Sequence, residues 1–185
     1  MGCLPKNIWQ NSAVSKHPPR IYWDACAWIS YINKEMNGAG SRYTDPRFDM
    51  CCETLKAAES GEIEIVTSAF NLAEVCKRSP DSTAPAINLP AFFDQPYILL
   101  VPVDKVVGLR AQNLQLAGLF GVKPPDAVHL ASALVHNVPI MHTFDAKLLD
   151  LDMRLTMDDG NQLRICKPTK EKPTPPLLEA MQKDD

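Results

Sequence analysis

Four acids, Asp24, Glu74, Asp126 and Asp145, stand at the ends of predicted strands or the beginnings of predicted helices. Asp24 closes the apolar run Ile21-Tyr22-Trp23, and Asp145 follows Val138-Pro139-Ile140-Met141 with Thr143 two residues before it. Asp126 comes directly after Pro124-Pro125, in the first helical turn, where the macrodipole favours an anion by about 0.3 to 1 kcal/mol. Glu74 is expected two turns into a helix starting near Ser68. Two carboxylates about 4 Å apart repel by about 4 kcal/mol at an effective dielectric of about 20, so a cleft shared by four ionised acids calls for a cation. Oxygen-only ligands suit Mg²⁺ or Mn²⁺, and the absence of clustered His or Cys argues against zinc and copper. The chemistry of such a site is metal-assisted phosphoryl transfer: a water made more acidic, aimed for in-line attack, with the charge building on the phosphate neutralised. Taken singly, each acid reads as a helix cap or a solvated charge. The set carries the metal-site reading.

Short apolar runs and helical periodicities alternate along the chain. Strands are predicted at Ile21-Tyr22-Trp23, Ile63-Glu64-Ile65-Val66, Ile98-Leu99-Leu100-Val101 and Val138-Pro139-Ile140-Met141, with a final one at Leu163-Arg164-Ile165. Helices are predicted from Ala25 to Met36, from Pro46 to Ser60 with Gly61 in the C-terminal glycine position, from Ser68 through Glu74, from Asp104 to Phe120 closed by Gly121, from Pro124 to near His136, and in a short turn ending at Leu151. Pro80, Pro85 and Pro90 mark residues 79–90 as a loop. Alternating strands and helices imply parallel crossovers and a three-layer α/β/α domain with a central, mainly parallel sheet, whose site lies outside the carboxyl ends of the strands. Residues 1–20 read as an irregular lead-in, 21–166 as the domain and 167–185 as a flexible tail rich in Lys, Pro and acids.

The 185 residues match one domain. An apolar fraction of 45% and a charged fraction of 22% exclude a largely disordered chain. With 19 basic against 22 acidic residues the net charge is −3, so no global positive field draws the protein to nucleic acid or an anionic membrane. The six cysteines show no zinc spacing and read as reduced thiols. No apolar run approaches the roughly 18 residues of a membrane span, and the expected location is the cytoplasm.

Other chemistry-bearing residues receive plainer readings. His129 and His136, seven apart on one helix, are assigned to packing or surface, and His142 to a hydrogen bond near Asp145. Trp23, Trp28 and Phe144 are assigned to the core, with base stacking as the alternative. Lys77 and Arg78, three and four residues after Glu74, are candidate phosphate contacts, with a solvated helix end as the alternative. Arg42, Arg47, Lys123 and Lys147 are weaker candidates for a basic rim, and Glu62, Glu64, Asp150, Asp152, Asp158 and Asp159 read as solvent-facing charges.

At its acids the chain resembles the PIN-domain nucleases, which include the VapC-like ribonuclease toxins of toxin-antitoxin pairs. The resemblance rests on four phrases in the family's order: Ile21-Tyr22-Trp23-Asp24-Ala25-Cys26, Ser68-Ala69-Phe70-Asn71-Leu72-Ala73-Glu74-Val75, the segment from Lys123 to Ala133 around Pro124-Pro125-Asp126-Ala127, and His142-Thr143-Phe144-Asp145. It implies a PIN-like sandwich in which Asp24, Glu74, Asp126 and Asp145 form the acidic metal-binding quartet, with Thr143 as the accompanying hydroxyl. One departure is Ala25, where the family often carries Thr or Ser directly after the first acid.

The expected function is that of a Mg²⁺- or Mn²⁺-dependent endoribonuclease cutting single-stranded RNA, the toxin of a toxin-antitoxin pair. Its expected partners are RNA and a small antitoxin protein, with a second copy of the chain as a further candidate and no membrane. The alternatives are a housekeeping RNA-processing nuclease of the same type and a non-catalytic RNA-binding or assembly module. A haloacid-dehalogenase-like phosphatase needs a second Asp where this chain has Cys26, and a receiver domain needs a phosphoacceptor where it has Val101-Pro102-Val103.

Overall fold

The computed structural model describes residues 18–37, 46–75, 93–118 and 121–169. Strand β1 (Arg20–Trp23) leads into helix α1 (Ala25–Asn37), which is followed by α2 (Pro46–Glu59), β2 (Glu64–Ser68), α3 (Asn71–Glu74) and β3 (Ile98–Val101). The second half runs through α4 (Lys105–Leu116), α5 (Pro124–Val135), β4 (Ile140–His142), α6 (Ala146–Leu149) and β5 (Arg164–Cys166). The five strands form one sheet in the order β3-β2-β1-β4-β5, and every pairing is parallel. The three-layer expectation therefore holds.

Alternation along the strands builds the layers. Tyr22, Val66, Met141 and Ile165 face one side, where they meet Val107, Ala111 and Leu114 of α4 and Ala127, Leu130 and Leu134 of α5. Ile21, Trp23, Ile65 and Ile140 face the other, against Trp28 and Ile32 of α1 and Cys51 and Leu55 of α2. The chain builds outward from β1 to β3 and then returns to place β4 on the free side of β1. The turning point is therefore the β1–β4 seam, where doubly wound sheets open their binding crevice.

Local chemistry sets the helix ends. Gly61, at φ +75°, closes α2 in a Schellman motif, with Gly61 N bonded to Ala58 O and Glu62 N to Ala57 O, both at 2.9 Å. Asn137, at φ +50°, does the same for α5, through Asn137 N to Leu134 O and Val138 N to Ala133 O. Asp104 caps α4 by accepting from Val106 N and Val107 N.

Several boundaries differ from expectation: β2, β4 and β5 run one or two residues further along the chain than predicted, and α6 ends at Leu149 and not Leu151. Helix α4 stops at Leu116, and Gly118 at φ +81° bonds back to Gln115 O, so Gly121 is not its terminator. Ser68 is the last residue of β2 and not a helix N-cap; its hydroxyl accepts from Phe70 N at 3.2 Å and turns the chain toward α3. Glu74 accordingly sits at the end of a single four-residue turn and not two turns into a helix. Among the acids read as solvent-facing, Glu64 bonds Arg20 Nε at 2.6 Å, and Asp152 accepts from Ile165 N at 2.6 Å. The expected lead-in and tail lie mostly outside the described residues, as do Arg42, Lys77, Arg78 and residues 79–90.

Candidate active site

Strands β1 and β4 are paired in register through Trp23 and His142, so the next residues on each, Asp24 and Thr143, emerge side by side. Asp24 is 2% exposed. Its Oδ1 accepts from Ala27 N at 3.0 Å and its Oδ2 accepts the Thr143 hydroxyl at 2.5 Å. Thr143 Oγ1 in turn accepts from Asp145 N at 2.9 Å, so one hydroxyl joins the two strand-end acids. Burial pushes the Asp24 carboxyl up to about 6, opposed by the Thr143 bond and the Ala27 amide and reinforced by the charge of Asp126.

Asp145 caps α6, its Oδ1 accepting from Lys147 N at 2.7 Å and Leu148 N at 3.3 Å. Asp126, the third residue of α5, accepts from Lys123 N at 3.2 Å. For these two the capping reading holds, and both helix N-termini stand at the carboxyl edge of the parallel sheet, where the crevice lies. Glu74 Oε2 meets His129 Nε2 at 2.6 Å, and His129 Nδ1 meets the Tyr22 hydroxyl at 2.8 Å.

The four carboxylates share one electrostatic neighbourhood. Cys26, in the first turn of α1, has its thiol pushed up to about 12, first by burial and then by the negative charges of Asp24, Asp145, Asp126 and Glu74. As the side chains stand, no group of three or more His, Cys, Asp or Glu among the described residues is gathered closely enough to hold a metal ion. That spacing remains compatible with Mg²⁺, which takes one or two carboxylates directly and keeps several of its waters.

Thr67 and Arg47 make further contacts around these residues. Thr67 Oγ1 accepts from Trp28 Nε1 at 2.9 Å and from Asn71 Nδ2 at 2.6 Å, and donates to Trp23 O at 2.9 Å, tying α1, α3 and the end of β1 to β2. On the α1/α2 side the Arg47 guanidinium lies 5.4 Å from the ring centroid of Phe144. Trp23 and Trp28 are core as expected, whereas Phe144 is only partly buried.

Sequence reasoning missed His129. It is 2% exposed and bridges Tyr22 to Glu74, so it is neither a surface residue nor a packing residue alone. The available signal was its spacing of three from Asp126, which puts both on one helix face, and not its spacing of seven from His136. His142 bonds the indole of Trp23 at 3.2 Å and not Asp145, and burial lowers it to about 3.

A model of the PIN domain matches residues 21–153. The chain belongs to the PIN-domain family. This PIN domain resembles in fold the crystal structure of Mycobacterium tuberculosis VapC20, a Sarcin-Ricin loop cleaving toxin, with a TM-score of 0.50 and 16% identity over 68% of this chain and 90% of that one. Among curated proteins no relative is found. As a PIN domain the chain is a nuclease, and the matched span contains all four acids.

Proposed function

We propose that this PIN domain is a Mg²⁺- or Mn²⁺-dependent endoribonuclease that hydrolyses single-stranded RNA as the toxin of a toxin-antitoxin pair, in the cytoplasm. The observation that carries the proposal is the shared neighbourhood of Asp24, Glu74, Asp126 and Asp145, felt together at Cys26 beside the β1–β4 seam. An all-oxygen donor set in which one carboxyl is buried and raised to about 6 fits a hard divalent cation, which would relieve both the burial of that charge and the mutual repulsion.

Asp24, Glu74, Asp126 and Asp145 would hold the cation, one or two of them directly and the others through its waters, and when bound it supplies Lewis-acid stabilisation of the phosphate and a more acidic water. The protein's own groups set the geometry. Thr143 and Ala27 N fix both oxygens of Asp24, α6 fixes Asp145 through two amides, and α5 directs Asp126. Water attacks phosphorus in line and loses its proton to a carboxylate or to solvent, while the bond to the 3′ oxygen breaks and that oxygen takes up a proton from solvent. The products are a 5′-phosphate and a 3′-hydroxyl, because the RNA's own 2′-hydroxyl takes no part. Lys77 and Arg78, close behind Glu74 in sequence, are the proposed phosphate contacts.

The toxin role rests on the likeness of the four phrases to VapC-like ribonucleases; the solved toxin it resembles supports the fold. A small partner protein that covers the acidic cleft with an Arg or Lys belongs to the same reading. Incubation with mixed single-stranded RNA tests the activity. Cleavage should stop in excess chelator, return with Mn²⁺ or Mg²⁺ and not with Ca²⁺, and leave 5′-phosphate ends. Undiminished cutting in chelator removes the metal mechanism, and harmless overexpression of an active enzyme favours housekeeping over toxin. Binding of RNA without cleavage in any metal leaves a non-catalytic module.

A further inference from the structure

Glu74 stands partly buried at the end of a very short helix. Helix α3 is four residues long, Glu74 is the last of them, and its side chain is 24% exposed. Its carboxylate is nevertheless tied at 2.6 Å to a ring that is almost wholly buried, that of His129. Behind that ring stands Tyr22, in the middle of β1, with its hydroxyl 2.8 Å from Nδ1. Tyr22 and Phe70 both set their rings against the imidazole, with centroids 5.9 Å away, so the imidazole has little room to turn.

We infer that His129 is the positioning residue for Glu74, locked by Tyr22 in the form that carries its proton on Nε2, so that Glu74 is presented as a ligand in one fixed orientation. The inference rests on the metal-nuclease reading above and assigns this histidine a role within it.

The direction of the two hydrogen bonds follows from what each end can do. An ionised carboxylate only accepts, so Glu74 requires a donor. A phenol is neutral at ordinary pH and has one proton to donate, and the 2.8 Å contact directs it at Nδ1. A ring that accepts at Nδ1 must carry its proton at Nε2, the atom facing Glu74. The hydroxyl of a core strand thereby selects the tautomer of a helix residue, which orients an acid on a third element. Hydrogen-bonded partners of metal ligands act in this way, and their loss typically lowers metal affinity or activity about 10- to 100-fold.

The test measures Mn²⁺ binding to the RNA-free protein by calorimetry, alongside the ¹⁵N spectrum of the ring. The ring should be protonated at Nε2 in the wild type. His129→Leu, similar in bulk but without donors, should weaken Mn²⁺ binding about tenfold or more. His129→Gln, which can accept from Tyr22 and donate to Glu74, should recover most of that loss. Tyr22→Phe should lower Mn²⁺ affinity by a smaller factor and leave a mixture of tautomers, and it decides the matter if His129→Leu fails to fold. In cleavage assays the loss should fall on kcat, with KM for RNA little changed. A proton on Nδ1, or wild-type Mn²⁺ affinity in His129→Leu while Glu74→Gln loses the ion, overturns the positioning role and leaves the nuclease reading standing. Wild-type affinity in both Glu74→Gln and Asp24→Asn would instead overturn the metal site itself, and the positioning role with it.

Discussion

The Thr143 hydroxyl donates to Asp24 Oδ2 at 2.5 Å across the β1–β4 seam while accepting the backbone amide of Asp145, so a single side chain sets the spacing of two of the four acids. Thr143 is fully buried, and its partner is a carboxylate withdrawn from water. Thr143→Val should therefore destabilise the fold by about 1.5 to 3 kcal/mol, the usual range for losing a bond to a charged group. It should raise the Asp24 carboxyl beyond its present value of about 6, and cleavage should drop with it. Thr143→Ser should restore stability and activity together. Chemical denaturation of the three proteins, read beside cleavage rates, checks this, and full activity in the valine variant would contradict it.

Asp126→Asn keeps an acceptor for Lys123 N and removes one of the charges that raise Asp24. The metal-free protein should be no less stable than wild type at pH 7, while Mn²⁺ affinity and cleavage fall in parallel. A carboxylate acting only as a cap would behave oppositely, losing about 1 kcal/mol when replaced and leaving turnover by the folded fraction intact. Thermal midpoints with and without Mn²⁺ separate the two.

Asp24 links stability to pH in the direction opposite to a salt-bridged acid. Its carboxyl ordinarily titrates near 3.8 and is pushed up to about 6 by burial, so the folded state holds the proton more tightly than the unfolded chain. The stabilisation is complete below about pH 4 and is lost as pH rises through about 6. Asp24→Asn is blind to this. Comparing metal-free proteins, the stability difference should move in favour of the variant by roughly 3 kcal/mol between pH 4 and pH 7, at about 1.36 kcal/mol per unit. A difference that stays flat over that window would show that Asp24 is solvated. Saturating Mn²⁺ should return part of the advantage to the wild type.

His142 acts with the other sign. Burial, assisted by Arg164, lowers it from 6.5 to about 3, and its Nδ1 accepts from Trp23. The unfolded chain binds a proton that the fold rejects, so the contribution is intact above pH 6.5 and declines as pH falls toward 3. At pH 5 the loss amounts to about 2 kcal/mol. Denaturation at pH 5 and pH 7 should show this decline in the wild type and a smaller one in His142→Gln, whatever the variant's overall stability. Equal declines in both would mean that His142 is protonated in the fold.

The alternating elements and the parallel sheet were legible because each strand and helix carries a local signal. Strand β3 falls at the residues that its short apolar run marks, and Gly61 ends α2 because a left-handed residue is required there. Helix ends were less legible where more than one glycine could serve. Helix α4 stops at Leu116 because Gly118, and not Gly121, turns back on it, and α3 is a single turn although no glycine or proline closes it.

What the sequence determined by itself is which side chains are available at strand and helix ends and that the strands run parallel. The tertiary structure decided which of them meet. Placing β4 beside β1, and not beside β3, joined Asp24 to Thr143 at a separation of 119 residues. It also brought Tyr22 to His129 over 107 residues and His129 to Glu74 over 55. A histidine on an alanine-rich helix looks like packing because its partners lie on two other elements, and a buried polar group takes its role from what it bonds once water is gone. That pairing is a property of the strand order, which local periodicity does not encode.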